Sequence, residues 1–374
     1  MAALDARLTW TSEGACHRDR LVVHESACQA DGRWLKALGV LGKTGRAKLD
    51  ASPWLQPAGL AEARLSRSAF RLHAPPLPGR CYPQLAFAGL GQGPRDLRPA
   101  RVLAAGSDGL RVDPNHPLAG RQVDMEFLPS PLPPAPGTRL AELFNGPGLQ
   151  IPPPDPGAAY LSLEGLARQD EARDALFYAQ PRLVHHLDAA CRAEIARLHG
   201  RFLAPGQRVL DLMASWESHL PDLPAGLHVA GLGMNREELA ANPRLAERVV
   251  KDLNERSGLP WADGVFDAVL CVASIEYLLR PREVLREAGR VLKPGGLCLV
   301  SFSDRWFPDK AVRVWTELHA FERLALVLAL LREAGFTSLE TETLRGLARP
   351  DDEKYRDQRA YADPLFAAWG RRPA

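Results

Sequence analysis

The second half of the chain alternates short apolar runs with longer segments whose apolar residues recur at helical spacing. Each run is bounded by small or polar residues, which is typical of a parallel strand buried on both faces. Strands and helices in alternation predict one parallel sheet with right-handed crossovers, whose ligands bind beyond the carboxyl ends of the strands. We predict strands at residues 209–211, 228–234, 248–253, 266–274 and 297–302, a sixth at 338–344 and a last, antiparallel strand at 366–370.

The first 128 residues show shorter alternating segments, which predict a smaller, β-rich domain. Short strands are expected at residues 8–11 and 20–24, and an alternating strand at residues 123–127. Two apolar segments flank Gly106-Ser-Asp-Gly109, a sequence that favours a β-hairpin turn.

One motif in this part resembles a phosphate-binding loop. Ala37-Leu-Gly-Val-Leu-Gly-Lys-Thr44 has the spacing of such a loop, with Ala in place of the first Gly. A phosphate-binding loop needs an apolar strand before it and a helix that opens at the Lys-Thr pair. Because the flanking residues supply neither, we expect a glycine-containing turn in a basic segment.

Proline is concentrated between residues 129 and 158, in Pro129-Ser-Pro-Leu-Pro-Pro-Ala-Pro-Gly137 and Pro152-Pro-Pro-Asp-Pro-Gly157. Such segments are too rich in proline for a helix or a central strand and form semi-extended spacers. We therefore predict a β-rich domain at residues 1–128, a linker at residues 129–158 and an α/β domain at residues 159–374.

Composition narrows the class of protein. The chain has 374 residues, 46% of them hydrophobic, which allows a sizeable core and favours two domains. The 47 basic and 45 acidic residues give a net charge of +2, so no broad electrostatic surface for nucleic acid or an anionic membrane is expected. The six cysteines show no C-x-x-C spacing, and we expect neither a metal site nor a disulfide scaffold. Cys271 and Cys298 fall in predicted core strands, where they should be small buried apolar residues.

The sequence also bears on location. The first eight residues include an acid and no long apolar segment, so they do not predict a signal peptide. No window approaches the run of about 18 apolar residues that a membrane-spanning helix needs. We expect a cytoplasmic protein.

Several stretches of the second half carry a family resemblance. The order of elements, with Leu292-Lys-Pro-Gly-Gly296 just before the fifth predicted strand, resembles the class I S-adenosylmethionine-dependent methyltransferases. More narrowly, one subgroup of the type 11 methyltransferases is resembled by Phe177-Tyr-Ala-Gln-Pro-Arg182, Asp211-Leu-Met-Ala-Ser-Trp216, Ser218-His-Leu-Pro221, Gly233-Met-Asn235 with Glu238-Leu239, Val250-Lys-Asp-Leu-Asn254 and Ser301-Phe-Ser-Asp-Arg305. The resemblance covers roughly residues 160–374. It implies a doubly wound, seven-stranded Rossmann-like α/β sheet that binds S-adenosylmethionine.

The resemblance also implies which residues meet the cofactor. The loop after the first strand would approach its methionine part with Asp211, Met213, Ala214, Ser215 and Trp216. In the superfamily this loop is Gly-rich, whereas the subgroup carries a Ser-Trp pair. Trp216 either stacks beside the cofactor or plugs the pocket. Asp211 is expected to orient the loop through backbone N–H groups or to accept a bond from a cofactor amine.

The second and third strands supply the rest of the implied cofactor site. Gly233 stands where the family has an acid for the ribose hydroxyls, and Asn235, next to Met234, is the candidate substitute. Asp252 and Leu253 would meet the adenine ring. Alternatively, Asp252 caps the turn that follows.

Methyl transfer needs aligned reactants and, for some acceptors, removal of a proton. We predict His219, in the first loop beside Glu217, and Tyr277, after the fourth strand, as catalytic. His185, His186, Asp188 and Glu276 are further candidates, and the first three are expected in a helix before the sheet. Arg305 and Lys310 are candidates to bind an anionic acceptor, although Lys310 is expected to be a solvated charge.

A second resemblance lies in the first half. Asp113-Pro-Asn-His-Pro-Leu-Ala-Gly120 is similar to a segment of the SlyD-type FKBP peptidyl-prolyl isomerases that precedes the last strand. The alternative for Asn115-His116-Pro117 is a rigid turn, because Asp and Asn bond to their own backbone and Pro fixes φ.

Three functional hypotheses follow. The first is a methyltransferase that acts on a small-molecule or peptide acceptor. The second is an inactive methyltransferase fold with a chaperone-like or scaffolding role, which the missing loop glycines and the missing ribose acid favour. The third is a prolyl isomerase.

Overall fold

The fold is described from a computed structural model, which covers residues 2–28, 32–55, 61–72, 75–90, 97–145, 160, 162, 164–222, 226–351, 353 and 355–374. The chain divides into two units. Unit 1 comprises Met1–Gly165, Glu317–Leu326 and Glu342–Ala348, and unit 2 comprises Leu166–Thr316, Val327–Thr341 and Arg349–Ala374. Each unit is described by itself below.

Unit 1 contains two antiparallel sheets. In the first, β1 (Ala3–Ser12) pairs with β2 (Ala15–His24) and with β8 (Val123–Pro129), and β8 pairs with β3 (Ala47–Asp50). The second sheet has the order β4-β7-β6-β5, and its strands are β4 (Ala63–Leu65), β5 (Cys81–Pro83), β6 (Pro99–Gly106) and β7 (Gly109–Asp113). The helices whose residues all belong to this unit are α1 (Gly32–Thr44), α2 (Ser52–Leu55) and α3 (Ala141–Asn145).

The predicted strands of the first half are present. The Gly106-Ser-Asp-Gly109 hairpin is confirmed, since Gly106 pairs with Gly109 at the turn between β6 and β7. The expected turn at residues 37–44 is wrong, because these residues belong to α1. Ala37 and Leu41 lie on one face of that helix and are buried in the core of the first sheet. Burial of this face outweighed the glycines.

The second half of the predicted linker lies largely outside the described residues, which resume in full at residue 164. Within the described part, Leu140 and Leu143 are buried in the hydrophobic core of the first sheet together with Phe127. The described start of the segment between the two proline clusters, residues 138–145, therefore packs into unit 1.

Unit 2 is a mixed α/β structure built on a largely parallel sheet. The strands stand in the order β11-β10-β9-β12-β13-β15-β14. Their bounds are β9 (Arg208–Leu212), β10 (His228–Gly233), β11 (Leu245–Val250), β12 (Phe266–Val272), β13 (Leu292–Phe302), β14 (Thr337–Arg345) and β15 (Leu365–Arg371). The pairs from β11 to β13 are parallel, and β15 runs antiparallel to β13. Residues 342–345 of β14 belong to unit 1.

The remaining helices are α4 (Asp174–Phe177), α5 (Ala189–Gly200), α6 (Arg236–Ala241), α7 (Pro281–Val291), α8 (Arg313–Glu317) and α9 (Ala320–Glu333). Short 3₁₀ turns occur at Glu25–Cys28, Arg67–Ala69, Gln84–Ala86 and Ile275–Tyr277. Cys271 and Cys298 are buried in β12 and β13, as expected.

The helix before β9 begins later than predicted. Asp188 is its N-cap, and its carboxylate accepts a hydrogen bond of 2.8 Å from the Cys191 backbone N–H. His185 and His186 therefore lie in the irregular segment before α5, and the prediction that they belong to a helix is wrong.

Candidate functional site

Two cavities lie at the carboxyl ends of β9, β10 and β12, where a parallel sheet binds its ligands. One, the histidine cavity, has a volume of about 180 Å³ and is lined by His185, His219, Trp216, Asp211 and Arg305 among others. The other, the strand-end cavity, has a volume of about 120 Å³ and is lined by Gly233, Asn235, Glu238, Asp252 and Leu253 among others. Each is much larger than the 10–15 Å³ or so that a single water needs, so each has room for a multi-atom group.

The two cavities share part of their lining. The residues that border both are His186, Met213, Ala214, Ser215, Ala273, Ser274, Tyr277 and Phe307. A group bound in one cavity therefore meets a group bound in the other at this shared wall. This is the arrangement that a transfer reaction between two bound molecules needs.

The loop after β9 is fixed by side chains of its own unit. Met213 has a φ of +61°, an uncommon conformation for a non-glycine residue, which turns the chain sharply at the strand end. The Asn242 amide donates hydrogen bonds of 2.9 Å to the Ser215 carbonyl and 3.0 Å to the Ser218 hydroxyl. The loop is thus held in place without the glycines that the superfamily uses.

Asp211 is buried at the end of β9. Burial raises the pKa of its carboxyl group to about 7, although the Ser218 hydroxyl, 2.5 Å from Oδ2, opposes that shift. This contact is to a side-chain hydroxyl, whereas we expected backbone N–H groups or a cofactor amine. Asp211 borders the histidine cavity.

Trp216 forms a wall of the histidine cavity. Its indole N–H donates a hydrogen bond of 3.1 Å to the Val184 carbonyl, and its ring lies 4.7 Å from the His185 ring. Met213, Ala214 and Ser215 border both cavities, as the cofactor assignment of this loop requires.

Asn235 borders the strand-end cavity, but its amide is already used. Its Oδ1 accepts the backbone N–H groups of Glu237 and Glu238 at 2.9 and 3.0 Å, which caps α6. Its Nδ2 donates to the carbonyls of Tyr178 and Ala179 at 2.9 and 3.2 Å. These four bonds exhaust the capacity of a primary amide. We therefore do not assign the ribose hydroxyls to Asn235 in this conformation.

The carboxylate that borders this part of the cavity belongs to Glu238, which sequence reasoning did not single out as a ligand. It is buried, and its two oxygens accept bonds of 2.7 Å, from the Arg182 backbone N–H and from the Ser215 hydroxyl. Each carboxylate oxygen can accept a further bond. The sequence carries two signals: Glu238-Leu239 is one of the stretches that resemble the subgroup, and an acid stands three residues after an N-cap Asn, which also fits an ordinary helix start.

Asp252 and Leu253 both border the strand-end cavity beside Met234. Asp252 Oδ1 accepts the backbone N–H groups of Asn254 at 2.8 Å and Glu255 at 3.3 Å. The turn-capping interpretation is thus correct for Oδ1, and the residue also stands in the cavity where the adenine contact was expected.

The two predicted catalytic residues, Tyr277 and His219, border different parts of the cavities. Tyr277 borders both cavities, and its hydroxyl accepts a hydrogen bond of 2.9 Å from the Phe307 backbone N–H. Burial raises the pKa of this phenol well above its usual value. His219 borders the histidine cavity, and burial lowers its pKa to about 4 despite the nearby Glu217 carboxylate.

The two charged residues after β13 that were candidates to bind an anionic acceptor, Arg305 and Lys310, lie in different environments. Arg305 borders the histidine cavity, and its guanidinium lies 5.2 Å from the centre of the Tyr355 ring. The expectation of a solvated Lys310 is wrong. Lys310 is fully buried, and its ammonium contacts the carboxylates of Asp170 at 2.9 Å and Asp174 at 3.3 Å.

The turn in unit 1 that resembles an isomerase segment is held by its own side chains. Asp113 Oδ1 accepts from the backbone N–H of Asn115 at 2.9 Å. His116 Nε2 lies 2.6 Å from the Phe144 carbonyl, and its Nδ1 accepts from the Leu118 backbone N–H at 3.1 Å. Burial lowers the pKa of His116 to about 4, so its ring is neutral. The isomerase hypothesis stays a prediction.

Within the part of the chain that the structure describes, no cluster of His, Cys, Asp and Glu has the makings of a metal site. A search of the same residues also finds no helix of the length and apolar character that crossing a membrane requires.

Comparison with known proteins gives one family match: residues 218–300 fit the family model described as a methyltransferase domain. A demethylmenaquinone methyltransferase of Renibacterium salmoninarum is 36% identical over 105 residues, 28% of this chain and 44% of that protein. The methyltransferase GfsG of Streptomyces halstedii is 27% identical over 195 residues, 46% of this chain and 69% of that protein. A solved S-adenosylmethionine-dependent methyltransferase of Thermotoga maritima, described as a possible histamine N-methyltransferase, is 19% identical with a TM-score of 0.36, covering 49% of this chain and 89% of that one.

The strand order gives unit 2 a Rossmann-like α/β architecture, and residues 218–300 within it are similar to a methyltransferase domain. The chain spans less than half the length of the curated demethylmenaquinone methyltransferases that it resembles.

Proposed function

We propose that unit 2 is an S-adenosylmethionine-dependent methyltransferase that acts on a small-molecule or peptide acceptor. The observation that carries this proposal is the pair of cavities with a common wall at the carboxyl ends of β9, β10 and β12. The strand-end cavity would hold the donor and the histidine cavity the acceptor. The near-balanced charge of the chain speaks against nucleic acid or an anionic membrane surface as the partner.

The residues present fit the donor, with one change from the family pattern. Asp252 and Leu253 would hold the adenine ring, and the loop from Met213 to Ser215 would border the sulfonium. Glu238 would accept hydrogen bonds from the ribose hydroxyls, since Gly233 has no side chain and the Asn235 amide is already hydrogen-bonded within the protein. When bound, S-adenosylmethionine supplies an electrophilic methyl group. The chain would then align an acceptor against it and receive any proton that the acceptor loses.

Calorimetric titration with S-adenosylhomocysteine tests the proposal. We expect micromolar binding by the protein and at least tenfold weaker binding by Asp252→Ala, because a carboxylate that bonds to the adenine amino group contributes about 1.4 kcal/mol or more. Asp351→Ala is the matched control, since that carboxylate is 95% exposed. If the folded protein does not bind S-adenosylhomocysteine at concentrations up to about 1 mM, the methyltransferase proposal is refuted.

A second candidate function is a non-catalytic scaffold that keeps the methyltransferase fold. It is favoured by the absence of an acid at Gly233 and by the full engagement of the Asn235 amide. The same titration separates the two, because a scaffold that has lost the cofactor site would not bind S-adenosylhomocysteine.

A further inference from the structure

The shared wall of the two cavities contains few groups that can exchange protons. Of its eight residues, only His186 and Tyr277 carry side chains that titrate in the ordinary pH range. Tyr277 stays protonated because burial raises the pKa of its phenol well above the usual value. This leaves His186 as the side chain that can accept a proton where donor and acceptor meet.

The surroundings of His186, which is partly exposed to solvent, lower the pKa of its imidazole. Burial lowers its pKa from the usual value, Arg182, Arg305 and His185 lower it further, and Glu238 opposes them. Its ring packs edge-on against Phe307, with 5.2 Å between the ring centres. Among the described residues, none forms a hydrogen bond with its ring nitrogens, so the nitrogen that carries no proton can accept one from a ligand.

Seven of the 18 residues that line the histidine cavity carry flat rings, His219 among them. Besides His186, the cavity is bordered by Trp216, Trp306, Phe307, Tyr277 and His185. Such walls favour a planar, aromatic ligand, because offset and edge-on ring contacts add to the burial of apolar area. The Tyr277 oxygen already accepts a bond from the Phe307 backbone N–H, so its own proton is directed elsewhere and can be donated to a ligand oxygen.

We propose that His186 is the general base of the reaction and that the methyl acceptor is an aromatic compound whose nucleophile is a hydroxyl group. This inference rests on the proposed methyltransferase function. The acceptor O–H bond breaks and its proton passes to His186. The acceptor oxygen forms the new bond to the methyl carbon as the C–S bond of S-adenosylmethionine breaks, which leaves S-adenosylhomocysteine. Tyr277 donates a hydrogen bond to the developing phenolate, and Arg305 supplies positive charge at the cavity wall.

The probe for this proposal is 4-nitrophenol, whose phenolate form absorbs visible light. Spectrophotometric titration gives both its affinity for the protein and the pH at which the bound probe ionises. A phenol buried without a proton acceptor ionises at higher pH than in water, whereas one beside a base that becomes a cation ionises at lower pH. We expect the bound probe to ionise about 1 pH unit below the free probe in the unaltered protein. In His186→Gln it should ionise at or above the pH of the free probe.

Three further variants make the assignment specific. His185→Gln and His219→Gln remove the other imidazoles of the same cavity, and His228→Gln removes an exposed imidazole at the start of β10. We expect His228→Gln to leave the ionisation of the bound probe unchanged. A shift that is lost in His185→Gln or His219→Gln but kept in His186→Gln would overturn the assignment of the base. If His186→Gln does not fold, His186→Asn takes its place.

Other outcomes also decide the question. A probe that binds but ionises alike in the unaltered protein and in His186→Gln would overturn the role of His186. No binding of 4-nitrophenol by a protein that still binds S-adenosylhomocysteine would overturn the aromatic acceptor and leave the methyltransferase proposal intact. A folded protein that binds 4-nitrophenol but not S-adenosylhomocysteine would count against the methyltransferase proposal.

Discussion

The carbonyl oxygen of Ala214 occupies the space that a side chain at Gly233 would need. The two residues lie at the ends of neighbouring strands, and the Ala214 backbone N–H donates a hydrogen bond of 2.8 Å to the Leu232 carbonyl. The loop after β9 is therefore drawn against the end of β10. Glycine at position 233 is a packing requirement of this loop, and the ribose acid of the family cannot simply be restored there.

We predict that Gly233→Asp destabilises unit 2 and does not strengthen cofactor binding. The added Cβ overlaps the Ala214 carbonyl, and forced overpacking costs about 1–3 kcal/mol of the free energy of unfolding. Urea denaturation measures this change. In the control Gly289→Ala the new Cβ meets only Phe336 at 3.6 Å in a helix, so we expect a gain of up to about 1 kcal/mol. Tighter S-adenosylhomocysteine binding by a stable Gly233→Asp protein would contradict this account.

The second prediction concerns Glu238, the acid that we propose takes the place of the missing one. Glu238→Gln should weaken S-adenosylhomocysteine binding by about tenfold, because the loss of one charge-assisted hydrogen bond costs about 1.4 kcal/mol. Calorimetry measures the affinity. Glu237→Gln, at the neighbouring exposed position of the same helix, is the control and should bind as the unaltered protein does. Equal affinities for the two variants would remove Glu238 from the ribose site.

The buried Asp211 carboxyl group makes a prediction about pH. Its pKa is about 7 in the folded protein, above its value in the unfolded chain, so the folded state holds an extra proton between about pH 4 and pH 7. The contribution of this group to stability is therefore present at low pH and is lost as the pH rises through that window.

We expect Asp211→Asn to gain stability relative to the unaltered protein as the pH rises from about 4 to 7, by up to roughly 4 kcal/mol. Thermal unfolding of both proteins across this range measures the difference. A difference in unfolding free energy that does not change with pH would show that Asp211 ionises normally in the folded protein.

The fourth prediction concerns unit 1 and has the opposite sign. The His116 pKa is about 4 in the folded protein, below its unfolded value of about 6.5, so the unfolded chain binds the extra proton between these pH values. The contribution of His116 to the free energy of unfolding is fully present above about pH 6.5 and falls as the pH is lowered toward 4. The neutral ring is required because it accepts the Leu118 N–H at Nδ1.

His116→Gln cannot titrate, so its disadvantage relative to the unaltered protein should shrink by up to roughly 3 kcal/mol between pH 6.5 and 4. Calorimetric unfolding scans measure this difference, and the same comparison at a pH above 7 serves as the internal control. A constant difference at all pH values would contradict a buried, neutral His116.

The sequence allowed most strands of unit 2 to be placed and the carboxyl ends of β9, β10 and β12 to be chosen as the candidate site, although β11 spans Leu245–Val250 and not the predicted residues 248–253. Strand positions follow from local patterns, since a run such as residues 266–272 has to be apolar to be buried on both faces. The resemblance of the sequence to known methyltransferases indicated Asp252 and the loop from Met213 to Ser215 as cofactor residues, and these residues do border the strand-end cavity.

The errors concern segments whose conformation depends on distant partners. The helix pattern was extended over His185 and His186, although the helix begins only after its N-cap, Asp188. Lys310 was expected in solvent because nothing near it in sequence shows that Asp170 and Asp174 surround its ammonium. Pairing across more than a hundred residues leaves no local signal.

The sequence by itself determined that unit 2 is built from alternating strands and helices and that polar residues follow the strands, because burial imposes these periodicities locally. Only the tertiary structure decided which of those polar residues are available to a ligand. The side-chain N–H groups of Asn235 are donated to the carbonyls of Tyr178 and Ala179, whereas the Glu238 carboxylate, which borders the same cavity, can accept further bonds. His186 reaches the wall shared by both cavities from an irregular segment, not from a helix. A hydrogen bond satisfied by a partner 57 residues away is a property of the folded chain alone.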